Sequence, residues 1–254
     1  MPDTKPKLRR VAIDRREESA RVMIRPVGTE RSTRVFQEIR ELIVGGQLAP
    51  GARIVERDLV GRLGASRTPV RSALHRLQQE GYVVSLHGGH RQRLIVTPLT
   101  RDDMLELLAM VGALEGIAVR RVARFDLADR RVIVDRLRRV NKALATAATH
   151  RRADTRRMAE LDETFHRTMF GPGAGARLLA MHETLQPQTY RYRRLFHYSA
   201  SELAPQSIAE HDEIIAAIER GVPHQAMLAV HKNWNNGSAR VGQAMARAGE
   251  FDTF

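Results

Sequence analysis

The stretch "GASRTPVRSALHRLQQEGYV", residues 64–83, decides the fold of the first third of the chain. Ser66 is placed to cap a helix, and Pro69 stands close to its start, where the missing N–H of proline breaks no hydrogen bond. Apolar residues then recur every three or four positions until Gly81, as in a helix that buries one face. The stretch therefore predicts an amphipathic helix that begins after Ser66 and ends at Gly81.

The first turns of this helix carry positive charge at the end where the helix dipole disfavours it. Arg67 and Arg71 lie there, together with the small hydroxyl residues Ser66 and Thr68. Such charge is unfavourable unless an anion binds beside it. The pattern indicates a negatively charged partner, and arginines that are merely solvated are the alternative.

The neighbouring segments complete a small domain. "RVFQEIRELIV", from Arg34, has the apolar period of a first helix, and residues 56–62 form a short second one. Two β-branched runs, "YVVSL" and "RLIVT", flank the turn-forming "HGGHRQ" and predict a β-hairpin. Three short helices and a hairpin are typical of a winged helix-turn-helix, whose third helix enters the major groove of DNA. DNA is thus the expected anion, and a bidentate arginine–guanine contact contributes roughly 1–3 kcal/mol of discrimination between bases.

The same segment resembles the N-terminal domain of the GntR family of transcriptional regulators. The family pattern runs G-x-L-x-P-G, then E-x-x-L-x-x-x-L-G-x-S-R-x-P-V-R-x-A-L-x-x-L-x-x-E-G, and "GQLAPG" followed by "ERDLVGRLGASRTPVRSALHRLQQEG" matches it. The resemblance implies that residues of the second helix, the third helix and the wing contact DNA. These are Arg57; Ser66, Arg67, Thr68 and Arg71; and His87 with Gly88.

The charge balance agrees with a nucleic-acid partner. The 254 residues carry a formal net charge of +13, and the basic excess is densest in the first third. Residues 1–30 show no sustained apolar period and are expected to be a flexible basic arm, either a DNA tether or a disordered leader. Solvated arginine alone is the alternative explanation of the charge.

Several classes of protein are excluded by what the sequence lacks. It has no run of eighteen apolar residues and no secretory signal, so we expect a cytoplasmic protein without a membrane span. It also has no cysteine. Disulfides and thiolate metal sites are therefore excluded, and any metal ion must be held by His, Asp or Glu.

From residue 99 onward the sequence is helical, after a linker marked by Pro98. Glycine- and proline-rich breaks divide it into helices at about 101–124, 127–149, 154–170, 176–197, 205–220 and 223–247. The predicted fold class is mainly α: a winged helix-turn-helix over residues 31–98, then an all-α bundle of about six helices over residues 99–254. We expect the bundle to bind an effector and to dimerise.

Polar residues recur on the apolar faces of this bundle. Asp162 and His166 lie four apart in "ELDETFHRTMF", His211 begins the stripe of "HDEIIAAI", and His231 follows core-type residues in "AMLAVH". Each alone is more often an ordinary core or surface residue. Together they suit zinc, nickel or another late first-row ion, and helical bundles are common scaffolds for such ligand sets.

These segments resemble the ligand-binding domain of the FadR-like branch of the GntR family, the FCD type. The resemblance implies that Asp162, His166, His211 and His231 hold a divalent ion and that a small carboxylate effector binds beside it. Two departures concern the pocket: Val111 stands where many relatives have an arginine before Glu115, and Gly175 replaces an asparagine. The cation could come from elsewhere, and the candidates for effector contacts, with solvated arginines as the alternative, are Arg191, Arg194, Tyr190 and Tyr192.

The combined pattern predicts a sequence-specific transcriptional regulator, a repressor, that binds palindromic operator DNA as a homodimer and responds to a small carboxylate. A metal-dependent hydrolase is one alternative, but no Ser-His or Cys-His pairing or carboxylate dyad stands in a recognisable motif. A nonspecific architectural DNA-binding protein is the other, although such a protein needs no large helical domain. We therefore expect that the chain is not an enzyme.

Overall fold

The computed structural model describes residues 27–88, 91–149, 154–196 and 200–248. Of the predicted arm, residues 1–26 lie outside the described residues, and the remainder already belongs to a helix. The N-terminal part contains, in chain order, α1 (Val27–Val44), β1 (Arg53–Ile54), α2 (Glu56–Leu63), α3 (Arg67–Gln79), β2 (Val83–Gly88) and β3 (Arg91–Val96). The first helix thus begins earlier than its apolar period suggested.

The three strands form one antiparallel sheet in the order β1-β3-β2. The predicted hairpin is β2 with β3, in which Val83 faces Val96. β1 was not predicted, because a strand of two residues has no alternation to detect. It exists through its pairing with β3, where Ile54 lies opposite Leu94.

α3 is held in place by an apolar face. Val70 and Leu77 are fully buried, and they pack with residues of α1 and the sheet into a first hydrophobic core. Gly81 ends the helix in the left-handed region, with φ 75°, and the amide of Tyr82 donates to the carbonyl of Leu77 over 2.8 Å. Ser66 occupies the N-cap position with extended backbone, but its hydroxyl makes no capping hydrogen bond.

The C-terminal part consists of six α-helices in the described ranges. They are α4 (Arg101–Val122), α5 (Leu127–Thr149), α6 (Thr155–Phe170), α7 (Ala176–Phe196), α8 (Ala200–Arg220) and α9 (Pro223–Ala248). A single 3-10 turn, Gly171–Gly173, joins α6 to α7. α8 begins before the predicted residue 205, since Pro205 lies inside the helix instead of starting it.

α4 runs through the middle of this bundle and contacts α6, α7 and α9. Two glycines allow α9 to approach it closely. A Cβ on Gly112 would lie 2.9 Å from Cβ of Trp234, and one on Gly116 would lie 2.4 Å from Nε2 of His231. The glycines of "VGALEG" therefore set the distance between these two helices.

α7 joins the bundle to the N-terminal part. The side chain of Gln188 donates from Nε2 to the carbonyl of Glu80 over 2.6 Å, and Arg191 donates from Nη2 to the carbonyl of Thr97, also over 2.6 Å. Tyr190 packs against the first core. One helix of the bundle thus contacts the segments that flank the hairpin.

Within the described ranges, no helix combines the length and the apolar character that crossing a bilayer requires.

Alanine substitution at two glycines of the N-terminal part should change the stability of the protein in opposite directions. Gly81→Ala forces a β-carbon into the left-handed region, at a cost of about 1–2 kcal/mol, and brings it to 2.6 Å from Nε2 of Gln188. Gly61→Ala lies inside α2, where an added Cβ meets no atom within 4 Å, and should stabilise by about 0.5–1 kcal/mol through helix propensity. Urea unfolding of the two variants should show midpoint shifts of opposite sign. Shifts of the same sign would contradict the assigned conformation of Gly81.

Candidate DNA-binding surface and metal centre

The polar face of α3 is turned away from the protein. Ser66, Arg67, Thr68 and Arg71 are all exposed, while the apolar residues between them are buried. Nε of Arg71 lies 3.7 Å from a carboxylate oxygen of Glu56, and both side chains are exposed. Exposed ion pairs contribute little, so Arg71 can exchange this partner for a phosphate or a base edge.

α2 adds one more exposed cation to this side of the domain. Arg57 is largely exposed, and its Nε lies 3.8 Å from a carboxylate oxygen of Asp58. In the wing, His87 and Gly88 form the end of β2, with Gly88 opposite Arg91 in the hairpin register. The side chain of His87 lies outside the described residues.

A second group of polar side chains lies inside the bundle, where α6 and α8 meet. Asp162 and His166 of α6 and His211 of α8 each offer one ligand atom, and these atoms all lie within 4.8 Å of one another. Both histidines are buried, and Asp162 is half-buried. Nε2 of His211 lies 3.5 Å from Oδ1 of Asp162 and has no hydrogen-bond partner among the described residues.

Hydrogen bonds on the far side of each ring determine which nitrogen carries the proton. The Asn141 amide donates from Nδ2 to the Ile208 carbonyl and the Asp212 carboxylate, so its Oδ1, 3.1 Å from Nδ1 of His211, is the acceptor there. His211 therefore carries its proton on Nδ1 and presents a lone pair at Nε2. Burial holds the pKa of His211 at about 3, so the ring is neutral. A buried, unpartnered imidazole nitrogen beside a carboxylate fits a metal ligand.

His166 is oriented in the same way by a buried carboxylate. Its Nδ1 lies 2.7 Å from Oε2 of Glu115, which is 1% exposed and can only accept. Glu115 also accepts from Nε2 of His182 over 3.0 Å and from Nε1 of Trp234 over 2.7 Å. Burial alone would raise the pKa of Glu115, but the electrostatic attraction of His166 and the hydrogen bonds from His166 and His182 lower it to about 2. Glu115 is thus a fixed anion that directs Nε2 of His166 toward the cluster.

A cavity of about 140 Å³ opens beside this cluster. Asp162, His166 and Trp234 belong to its lining, together with Arg193 of α7 and Arg240 of α9. The remaining described lining residues are Leu108, Leu144, Met158, Ala204, Ser207, Asn233, Gly237 and Val241. The lining therefore contains two cations as well as two of the candidate metal ligands.

Both arginines are paired with carboxylates. Arg193 donates to Asp162 through Nη2. Arg240 makes two parallel bonds to Glu210, over 2.8 and 2.9 Å, and Asn233 donates to the same carboxylate over 2.9 Å. Burial raises the pKa of Glu210, but Arg240 and the amides outweigh it and keep the pKa below the usual range. The charged side chains of the cavity lining are thus held in defined positions.

Both parts of the chain match known protein families. Residues 31–90 match the model described as "Bacterial regulatory proteins, gntR family". Residues 106–236 match the FCD domain, and this match spans more than half of the chain. The chain belongs to the GntR family of transcriptional regulators, with a C-terminal FCD domain.

Relatives of this GntR chain are also regulators. An HTH-type transcriptional regulator of Agrobacterium vitis is 33% identical over 139 residues, which cover 55% of this chain and 78% of that one. The protein named "Probable D-xylose utilization operon transcriptional repressor" of Paenarthrobacter nicotinovorans is 30% identical over 200 residues, 76% of this chain and 83% of that one.

Solved structures share the fold. A GntR regulator from Rhodococcus sp. RHA1 has a TM-score of 0.61 at 21% identity, over 84% of this chain and 97% of that one. McbR/YncC of E. coli has a TM-score of 0.57 at 20% identity, with the same coverage. The family confirms the predicted fold class and the prediction of a DNA-binding transcriptional regulator, and its members are regulators rather than enzymes.

The structure brings three of the four predicted metal ligands together and places the fourth elsewhere. His231 lies against Gly116 of α4, and its Nε2 has no hydrogen-bond partner in the part of the chain that the structure describes. Two residues that are two positions apart on a helix are rotated by about 200° around its axis, so their side chains point to nearly opposite sides. Asn233, two residues after His231, is consequently the one that lines the cavity.

The structure places the described side chains among the predicted effector contacts outside the lining of this cavity. Arg191 is 1% exposed and points toward the N-terminal part, where it binds the Thr97 carbonyl and, over 3.0 Å, Gln188. Tyr192 binds Asp103 through its hydroxyl over 2.6 Å, and Tyr190 packs on the first core. The side chain of Arg194 lies outside the described residues. Arg193, between the predicted residues, faces the cavity instead.

Several residues of the site were missed, although some left a signal in the sequence. Glu115 stands alone in the apolar run "MVGALEGIAV", and a charge in such a run indicates a buried, paired group. Asn233, Gly237 and Arg240 lie at the spacing of one helix face. His182 carried no such signal, because its neighbours Met181 and Glu183 are exposed.

Proposed function

We propose that this GntR regulator is a cytoplasmic repressor whose homodimer binds a palindromic operator and releases it when a small carboxylate enters the bundle cavity beside a divalent ion. The observation that carries the proposal is the cavity itself, since its lining combines two of the three candidate metal ligands, Asp162 and His166, with two arginines within a ligand-binding domain. Residues 31–98 form the DNA-binding domain, and residues 99–254 form the domain for the effector and for dimerisation.

DNA recognition rests on the exposed face of α3. Arg67 and Arg71 reach base edges in the major groove, and Ser66 and Thr68 position the helix on phosphates. The hydroxyl of Ser66 makes no cap bond, so it remains available for a phosphate. Arg57 of α2 and the wing residues His87 and Gly88 add contacts outside the groove.

Asp162, His166 and His211 are the residues that hold the ion, and two imidazoles with one carboxylate suit zinc or nickel. When bound, the ion supplies two positive charges and open coordination positions for a carboxylate. The side chains themselves supply no excess positive charge, because Arg193 pairs with Asp162 and Arg240 pairs with Glu210. Glu115 and Asn141 hold the two rings so that each Nε2 faces the ion.

α7 connects the cavity to the DNA-binding domain. Arg193 on one face pairs with Asp162, while Gln188 and Arg191 on the other face bind the carbonyls of Glu80 and Thr97. A carboxylate that binds Arg193 therefore acts on the helix that contacts the DNA-binding domain. A hundredfold loss of operator affinity requires about 2.7 kcal/mol of coupling, and the operator must weaken effector binding by the same factor.

The DNA-binding surface is tested by Arg67→Ala. The variant should lose specific affinity by roughly 10–100-fold, down toward its affinity for random duplex, because a bidentate base contact is removed. The melting temperature should stay unchanged, because Arg67 is exposed. The operator is obtained by sequencing the genomic fragments that the protein retains at physiological salt, and binding is followed by fluorescence anisotropy.

Arg136→Ala is the matched control for this variant, since it removes the same charge from an exposed position on α5. It should bind the operator like the wild type. Equal operator affinity of the Arg67→Ala variant and the wild type would refute the assigned surface.

Zinc and nickel affinities, measured by competition with a chromophoric chelator, test the metal centre. His211→Gln removes a ligand, and Glu115→Gln removes the anion that orients His166, which should weaken binding by roughly 10–100-fold. His231→Gln is the control, because His231 lies against Gly116, and it should leave both affinities unchanged. Unaltered affinity in the His211→Gln variant, or a loss confined to the His231→Gln variant, would contradict the three-residue centre.

The role of α7 is tested by Arg191→Met. This substitution introduces an apolar side chain of similar length and removes the hydrogen bond to the Thr97 carbonyl. Effector affinity without DNA should stay the same, while the difference in effector affinity with and without operator should shrink. Arg177→Met, at an exposed position of the same helix, should keep the wild-type difference. If Arg191→Met keeps it as well, the coupling runs by another route.

A further inference from the structure

The lining of the cavity combines a few charged or metal-binding side chains with a larger apolar surface. The charged or metal-binding side chains are Asp162, His166, Arg193 and Arg240. Elsewhere the described lining is largely hydrocarbon, and its apolar members are Leu108, Leu144, Met158, Ala204, Val241 and the ring of Trp234. A ligand that fills this space therefore needs an anionic head and a body without many polar groups.

Apart from Ser207, the polar side chains of the lining are already engaged in hydrogen bonds. Nε1 of Trp234 donates to Glu115, and Nδ2 of Asn233 donates to Glu210. Both guanidinium Nη atoms of Arg240 are bound to Glu210 as well. Hydroxyl groups on a ligand body would lose their bonds to water here, and each unsatisfied group costs roughly 1–3 kcal/mol. The lining thus selects against sugar acids and other hydroxylated acids.

The volume of the cavity indicates a small ligand. The cavity measures about 140 Å³, and an apolar protein cavity of about 150 Å³ is known to hold benzene. A body of one six-membered ring, or a branched chain of similar size, therefore matches the available space. The carboxylate then lies beside the arginines of the lining, Arg193 and Arg240.

From this lining we infer that the effector is a small monocarboxylate with an apolar body, an aromatic or alicyclic acid of benzoate size, and not a hydroxylated acid or a dicarboxylate. The inference rests on the proposed function, because it specifies the carboxylate that the regulator senses. Arg193 and Arg240 orient the head beside the bound ion, while Leu144, Met158 and Val241 select the body.

The chain contains its own reporter for this site. Trp234 is the single tryptophan of the sequence, it is 8% exposed, and it belongs to the cavity lining. A ligand that enters the cavity replaces its environment, so the intrinsic tryptophan emission changes without any added label. Occupancy can thus be followed separately from DNA release.

The experiment titrates the full-length, zinc-loaded protein with acids matched in size and records the emission of Trp234. Benzoate and cyclohexanecarboxylate should bind at least tenfold more tightly than shikimate, which has a similar ring with three hydroxyl groups, and than succinate. Benzamide, which keeps the ring but lacks the charge, should bind more weakly than benzoate. The same acids should release operator DNA in the same order of potency.

Two substitutions in the lining test the selectivity without emptying the cavity. Val241→Thr keeps the side-chain shape and adds a hydroxyl group, so it should narrow the preference for cyclohexanecarboxylate over shikimate. Ser207→Ala removes a hydroxyl group from the lining and should not weaken benzoate binding. Val132→Thr makes the same change as Val241→Thr at an exposed position on α5 and should leave the preference unchanged.

The outcomes separate this inference from the proposed function. If shikimate or succinate changes the Trp234 emission and releases the operator while the apolar acids do neither, the effector class is wrong and the carboxylate-controlled regulator stands. If no acid of either kind changes the emission or operator binding, the inference falls together with the proposed effector control. Specific operator binding by the untreated protein would then still identify a regulator.

Discussion

The buried carboxylate of Glu115 is the constraint on which the ligand-binding domain depends. A charge that is 1% exposed is tolerated only when hydrogen bonds replace its lost water. Its donors come from three helices: His166 of α6, His182 of α7 and Trp234 of α9. Because one anion binds all three donors, the position of α4 relative to these helices is specified. The same anion orients Nε2 of His166 toward the candidate metal ligands.

The same network prepares the cavity for a ligand. Trp234 donates to Glu115 through its ring nitrogen and lines the cavity with its ring, and Arg240, also in the lining, is held by Glu210. Side chains that are already oriented lose little entropy when a ligand binds, which favours affinity and selectivity. α7 connects this cavity to the DNA-binding domain, because its two faces contact the two domains.

Much of the fold could be predicted from local patterns. The amphipathic period and glycine breaks indicated the helices of the bundle, and the β-branched runs around residues 87–92 indicated the hairpin. β1 escaped detection, because its two residues become a strand only by pairing with β3. The start of α8 was misplaced because a proline was read as a boundary, whereas Pro205 lies inside the helix.

The sequence by itself determined the DNA-reading helix, the helical bundle and the pair Asp162 and His166, since all of these depend on residues close together in the chain. Only the tertiary structure decided that His211 joins that pair, that Arg193 and not Arg191 faces the cavity, and that Asn233 and not His231 lines it. The physical reason is helix rotation, because residues two apart point about 200° away from each other and only the packing of neighbouring helices sets which of them faces inward.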